Sequence, residues 1–189
     1  MERLPYLKPS EIPADRKALY DDMKQGIEAH FKGFEAIDAD GALIGPWNPM
    51  LHYPQFGKPV WDYIKALAGD PQLPGNVREV VILAVGQKFL ALYEIYAHTR
   101  VAELKGLSET KIATILAGHK PRDLTDEEEA AYDFVSALSA GSPLADANYK
   151  LACKYFGPEG TAELIYLIGL YASVSMILNG FNVAQPEEA

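Results

Sequence analysis

Apolar residues recur at helical spacing along nearly the whole chain, and no run of strand length alternates cleanly. Leu19, Met23, Ile27 and Phe31 make one stripe with charges between them, which predicts an amphipathic helix over 14–30. Val60, Tyr63, Ile64 and Leu67 make a second, over 59–68, stopped by Gly69-Asp70-Pro71. Between the two the period fails. Asp38-Ala39-Asp40-Gly41 is a turn signal within a short candidate hairpin near 37–44, and Gly45-Pro46-Trp47-Asn48-Pro49 predicts a rigid loop. Farther along, Asn76 is placed to cap a helix from Val77 to about Phe89. Its Val80, Val81, Leu83, Ala84 and Val85 are apolar nearly all round, so that helix belongs in the middle of the molecule or of an assembly.

The next helix, over about 91–105, follows with almost no spare residues and ends at Gly106, a good residue for a left-handed helix stop. Ser108 caps a shorter helix that ends near Gly118, and Thr125-Asp126-Glu127-Glu128 is a capping box opening a helix to Ala140. Asp146 starts another, to Phe156. The last, from Glu159 to about Asn179, carries Leu164, Leu167, Ile168, Tyr171, Val174, Ile177 and Leu178, more apolar surface than one small domain readily covers. Residues 1–13 are punctuated by prolines and expected to lie extended on a neighbour, and the polar tail 185–189 is expected to fray. These elements predict an all-α helical bundle in a single domain over 1–189: an N-terminal helix and loop extension over 1–48, a core region over 49–120 and C-terminal helices over 121–189.

Charge and composition narrow the function. A formal net charge of -9 over 189 residues argues against nucleic acid and against an anionic membrane as partners, since both need a basic footprint. The longest apolar segment, Leu164 to Leu178, is short for a membrane span and is interrupted by Gly169 and serines, and the first residues do not resemble a signal peptide. A cytoplasmic protein is expected. One cysteine, Cys153, leaves neither an intramolecular disulfide nor a Cys-x-x-Cys motif, and it is expected to pack as a small hydrophobe.

Three ionisable residues stand inside the most apolar part of the chain: Glu79, Glu94 and His98. Glu94 and His98 are four apart and share a helix face, with Leu92, Tyr93, Ile95, Tyr96 and Ala97 around them. Burial disfavours an imidazolium while a neighbouring carboxylate favours it, so such a pair suits proton transfer near neutral pH. A satisfied structural pair is the plain alternative. Glu79, near the start of the preceding helix, fits a helix dipole, but an antiparallel pair or a sharp elbow of the two helices would let it approach the pair, in its own subunit or from a neighbour. A metal site is disfavoured, because His30, His52 and His119 are scattered and form no second close pair of ligands. Trp47 reads equally as a pocket cover or a core plug. No phosphate loop, nucleophile elbow or dinucleotide fingerprint is present.

The run Arg78-Glu79-Val80-Val81-Ile82-Leu83, then Tyr93-Glu94-Ile95-Tyr96-Ala97-His98, then Ala102 and Gly106-Leu107-Ser108, resembles the carboxymuconolactone decarboxylase family, which includes the alkylhydroperoxidase D-like proteins. The Gly45 to Pro49 segment and the last helix, ending Leu178-Asn179-Gly180-Phe181, extend the resemblance over most of the chain. It implies an all-α fold assembled as trimers or hexamers. In the peroxidase branch a cysteine pair lies seven and four residues before the histidine, positions occupied here by Ala91 and Glu94, so dithiol reduction of peroxides is not expected. The decarboxylase branch usually has Tyr-Glu-Trp before its histidine, and this chain has Ile95 in place of tryptophan. The resemblance implies cofactor-independent decarboxylation of a lactone-like ring compound. His98 would be the proton donor, Glu94 its orienting and charging partner, and Glu79 a tuning or second acid-base group. Tyr93, Tyr96, Trp47, Asn48 and Arg78 are the candidate substrate contacts, and no metal or cofactor is expected. Lactone hydrolysis or isomerisation on the same site, and a non-catalytic oligomeric binding protein, are the alternatives.

Overall fold

A computed structural model describes residues 3–186. Eight α-helices account for most of it: α1 (Lys17–His30), α2 (Trp47–His52), α3 (Pro54–Gly69), α4 (Gly75–Phe89), α5 (Leu92–Leu104), α6 (Glu109–Leu116), α7 (Asp126–Leu138) and α8 (Asp146–Phe181). The all-α bundle expected from the periodicity is the observed architecture. Extended pairing near 37–44 reduces to a single bridge between Ile37 and Leu43.

The all-round apolar helix is central. α4 touches α5, α6, α7 and α8, and its residues divide between two cores. Val77, Val81, Ile82 and Val85 meet α7 and α8 through Phe134, Val135, Leu164 and Leu167, while Val80 and Leu83 meet Ala102, Ile112 and Ile115. Each such side chain contributes about 1.5–3 kcal/mol by leaving water, so burial on every side outweighs the modest helix propensity of its valines. A third core gathers α1, α2, α3, Tyr93 and Ala97 of α5, and Leu170, Val174 and Leu178 of α8. α8 therefore belongs to two cores. It is broken at Gly157 (φ 67°, ψ 179°) just before Pro158, which matches the two helices read from the sequence on either side of that glycine.

Four local readings are corrected. Trp47 and Asn48 are not in a loop: Pro46 leads into α2, and Pro49 falls in the first turn, where its missing N–H has no helical partner to lose. α3 begins at Pro54 rather than near Pro59, which sits inside the helix and leaves the carbonyl of exposed Gln55 to water. Asn76 does not cap α4. It lies inside the helix and donates its side-chain amide to the buried Glu128 carboxylate, 2.8 Å away, which also pairs with Lys111 and closes the Thr125 capping box. The N-terminal segment is not simply extended either: Pro9–Glu11 is a 3-10 turn. Pro5 is held at its carbonyl by Asn48 and His52 of α2, and Arg3 bonds the end of α8. The tail expected to fray lies partly outside the described residues, at 187–189. Ile165, Tyr166 and Met176 of α8 remain exposed, as do Leu90 and Leu92 at the α4–α5 elbow.

Glycine is required where the segment before α2 crosses α5. Gly45 has φ +63°, and a Cβ there would lie 2.3 Å from the ring of Tyr93. Gly45→Ala is expected to cost about 3 kcal/mol, combining left-handed strain with overpacking, whereas Gly69→Ala, with open space around it, should change stability by less than about 0.5 kcal/mol. Urea denaturation of the two variants measures the contrast.

Candidate active site

Two helices build the site. α4 ends in a left-handed residue, Leu90 (φ 51°), with the Leu90 N–H on the Gln87 carbonyl and the Ala91 N–H on that of Gly86. The chain then turns directly into α5 and runs back along α4, so Gly86 faces Glu94 and Ile95 while Glu79 reaches His98. The elbow thus converts a separation of nineteen residues into contact.

His98 lies between two carboxylates. Its Nδ1 is 2.8 Å from Glu79 Oε2, and its Nε2 is 3.4 Å from Glu94 Oε2. The first is a full hydrogen bond, while the second is longer than ordinary N–H···O contacts and leaves that proton loosely held. Both carboxylates are buried, and the imidazole is nearly so. Tyr171 closes one side, edge-on to the imidazole with ring centroids 5.0 Å apart. Burial is the largest influence on His98 and acts against its charged form. The charges of Glu79 and Glu94 together outweigh it, so the imidazolium persists above its ordinary range. For Glu94, burial and the Glu79 charge push the carboxyl upward against the pull of His98, favouring its neutral form. The Tyr93 and Tyr171 hydroxyls are raised well above their ordinary range by burial, reinforced by the Glu94 charge.

Glu94 and His98 line a small cavity whose other walls include Phe31, Phe34, Trp47, Tyr93, Leu170 and Tyr171. Its volume is about 30 Å³, enough for one or two waters. Glu79 lies behind the imidazole, off the cavity wall. No lysine or arginine lines it. A carboxylate on each imidazole nitrogen leaves no point on which the three groups converge, and among the described residues no set of three or more His, Cys, Asp or Glu is disposed to hold a metal.

The remaining sequence candidates are placed as follows. Trp47 and Tyr93 are on the cavity wall, and the buried Trp47 Nε1 has no hydrogen-bond partner among the described residues. Asn48 is buried but directs its amide to the Pro5 carbonyl. Arg78 is ion-paired with Glu163, whose other oxygen accepts from the Gln72 and Leu73 N–H groups, so Glu163 fastens both α4 and the turn before it to α8. Tyr96 is off the wall. Its hydroxyl accepts from the Glu35 N–H at 3.1 Å while the Tyr93 hydroxyl donates to the Glu35 carbonyl at 2.7 Å, and Arg100 stacks on its outer face. The two tyrosines clip the segment between α1 and α2 onto α5. No local spacing announces Phe31, Phe34 and Tyr171 as wall residues, because they come from the end of α1, the segment after it and α8. Glu163 had a usable signal, a lone acid opening the apolar run of the last helix. Cys153 bonds Thr161 within α8 and is not on the cavity wall.

No protein-family model matches the sequence, and no curated protein does. Solved structures do match the fold. An uncharacterised peroxidase-related protein from Ralstonia eutropha with an alkylhydroperoxidase AhpD core superposes with a TM-score of 0.77 at 15% identity, over 98% of this chain and 93% of that one. The debrominase Bmp8, in complex with 2,3,4-tribromopyrrole, gives 0.71 at 14% identity, over 98% and 94%. A protein of unknown function from Agrobacterium tumefaciens gives 0.68 at 20% identity, over 75% and 97%. The chain therefore has the helical fold of the alkylhydroperoxidase D-like and carboxymuconolactone decarboxylase proteins.

Proposed function

We propose that the protein is a cofactor-independent acid-base enzyme acting on a small ring compound, and that its reaction is decarboxylation of a carboxylated, unsaturated lactone. The observation that carries this reading is the imidazole held between two buried carboxylates, with Glu94 and His98 set in a wall otherwise built of aromatic and aliphatic side chains. A carboxylate brought there loses its hydration and meets no lysine or arginine, which favours its departure as CO₂. The electrons of the broken C–C bond pass through the alkene to the lactone carbonyl oxygen. Protonation of the resulting dienolate at carbon completes the reaction, and solvent restores the proton to the protein.

The division of labour differs from the one the sequence suggested. Glu79, hidden behind the ring, orients and charges His98 through Nδ1; Glu94 faces the substrate beside His98 Nε2. His98 Nε2 stabilises the developing oxyanion or gives up its loosely held proton, and Glu94, biased toward its neutral form, is a second donor. Arg78 is committed to Glu163, which argues against its holding the substrate. Trp47 and Tyr93 serve as walls, Tyr96 as a support, and Asn48 as an anchor for the N-terminal segment. A ring ligand in a protein of the same fold, the tribromopyrrole of Bmp8, supports the ligand class. A dithiol mechanism has no place in a chain with one cysteine. The smallness of the cavity favours a second reading, a buried polar network with no chemistry. We also propose that the chain forms a trimer or hexamer, on the strength of the exposed Leu90, Leu92, Ile165, Tyr166 and Met176; light scattering giving a monomer would refute the assembly.

Assay of CO₂ release separately from ring opening, on a panel of carboxylated lactones, tests the reaction. Against the best substrate, His98→Gln and Glu94→Gln should each lower kcat by about 10²–10⁴, and Glu79→Gln by less. Ring opening without CO₂ would make the protein a lactone hydrolase. If no panel member reacts and His98→Gln changes only thermal stability, the structural reading stands instead.

The protonation scheme also fixes a pH dependence. His98 binds its proton more tightly in the folded state than its ordinary value of 6.5, so the stability it contributes is complete below pH 6.5 and is lost as pH rises through the raised value. Glu94 acts in the same direction from its ordinary 4.5 upward. Thermal midpoints should therefore fall from neutral to alkaline pH, and in His98→Gln that part of the decline should vanish.

A further inference from the structure

The site cavity and the outer surface share two side chains, Phe31 and Ile64. Both line the narrow cavity beside His98, and both also line a groove between α1 and α3 with about 370 Å³ of room, some tenfold more than the cavity itself. The groove has a formed floor. Gly26 of α1 lies so close to Trp61 of α3 that a Cβ would meet the indole at 2.6 Å, and that indole is fixed by its Nε1 donating to Asp22 at 2.9 Å. Ala29 and Ala68 stand exposed on the rim.

The two shared residues differ in how firmly they are held. Ile64 is in the middle of α3, whereas Phe31 follows the last residue of α1, its N–H on the Ile27 carbonyl, and Gly33, two residues on, has φ +92°. The next firm attachment is the double clip on Glu35. Phe31 is half-buried, with its ring edge-on to Trp47 at 5.5 Å and tilted against Trp61 at 6.3 Å, so it stands between one indole of the cavity and one of the groove. A cavity with room for one or two waters admits a ring only when a wall side chain moves.

We propose that substrate reaches His98 and Glu94 from the α1–α3 groove, passing between Phe31 and Ile64, and that the Phe31 ring sets the size of compound admitted. The inference rests on reading the cavity as the reaction site, and it deepens that reading by naming the ligand class: a single planar ring, sliding in edge-on between an aromatic and an aliphatic wall. Fused or bulky ring systems are excluded by Phe31 rather than by the catalytic groups.

The test needs no substrate. Diethyl pyrocarbonate acylates neutral imidazole, and peptide mapping at one mildly alkaline pH gives the labelling rate of His98 relative to exposed His119 in the same sample. Phe31→Ala should raise that ratio several-fold. Ala68→Trp, on the rim and away from the core, should lower it several-fold, an effect that general loosening cannot produce. Phe134→Leu, in the core between α4 and α7, should leave it unchanged. Equal ratios in parent, Phe31→Ala and Ala68→Trp, or an equal rise in Phe134→Leu, overturn the route. Because labelling does not depend on turnover, absence of CO₂ release would refute the reaction without touching this result.

Discussion

Everything about the site follows from the cost of placing charge where α4 is dry on every side. That helix is surrounded by α5, α6, α7 and α8, and it carries Glu79 only a turn from its start. A lone carboxylate there would lose several kcal/mol of hydration with nothing to replace it. His98 supplies the compensation through a 2.8 Å hydrogen bond, and being charged, it admits a second carboxylate, Glu94, on its other nitrogen. The three groups are thus mutually dependent: a cation alone or either anion alone would be expelled or neutralised at that depth. Burial first, and the Glu79 charge after it, move Glu94 toward its neutral form, while the two carboxylates outweigh burial and move His98 toward its charged one. A network with this cost in desolvation holds its protons between buried groups, which is the arrangement the proposed proton transfer uses.

The helix elbow is what makes the arrangement possible. With no loop between α4 and α5, a left-handed Leu90 rather than a glycine ends the first helix, and the second returns immediately along it. The remaining wall comes from outside this pair. α8 contributes Leu170, Tyr171 and Val174 from its arm after Gly157, the segment between α1 and α2 contributes Phe31 and Phe34, and α2 contributes Trp47. The two carboxylates and the imidazole therefore sit on two helices, while part of the cavity wall comes from the chain that links α1 to α2, where no helix holds it.

What could be read in the sequence was whatever a few neighbouring residues decide. Ser108 and the Thr125–Glu128 box cap their helices as expected, Gly157 separates the two arms of α8, and the all-round apolar pattern placed α4 at the centre. The convergence of Glu79 with His98 was legible because the short connection leaves the chain few alternatives. Asn76 failed as a cap because Glu128, fifty-two residues away, needed a donor more than the helix end did. Arg78 illustrates the same limit: its neighbour in sequence is a site carboxylate, yet its partner is Glu163, on α8. Long-range polar satisfaction and walls built from several helices leave no periodic trace.

The double clip between α5 and the chain ahead of it grips residue 35 only by its main chain, through one carbonyl and one N–H. Such a grip is indifferent to the side chain, which is exposed to solvent. Evolutionary drift at this position should thus be nearly silent, with a single prohibition: proline, which has no hydrogen to offer Tyr96.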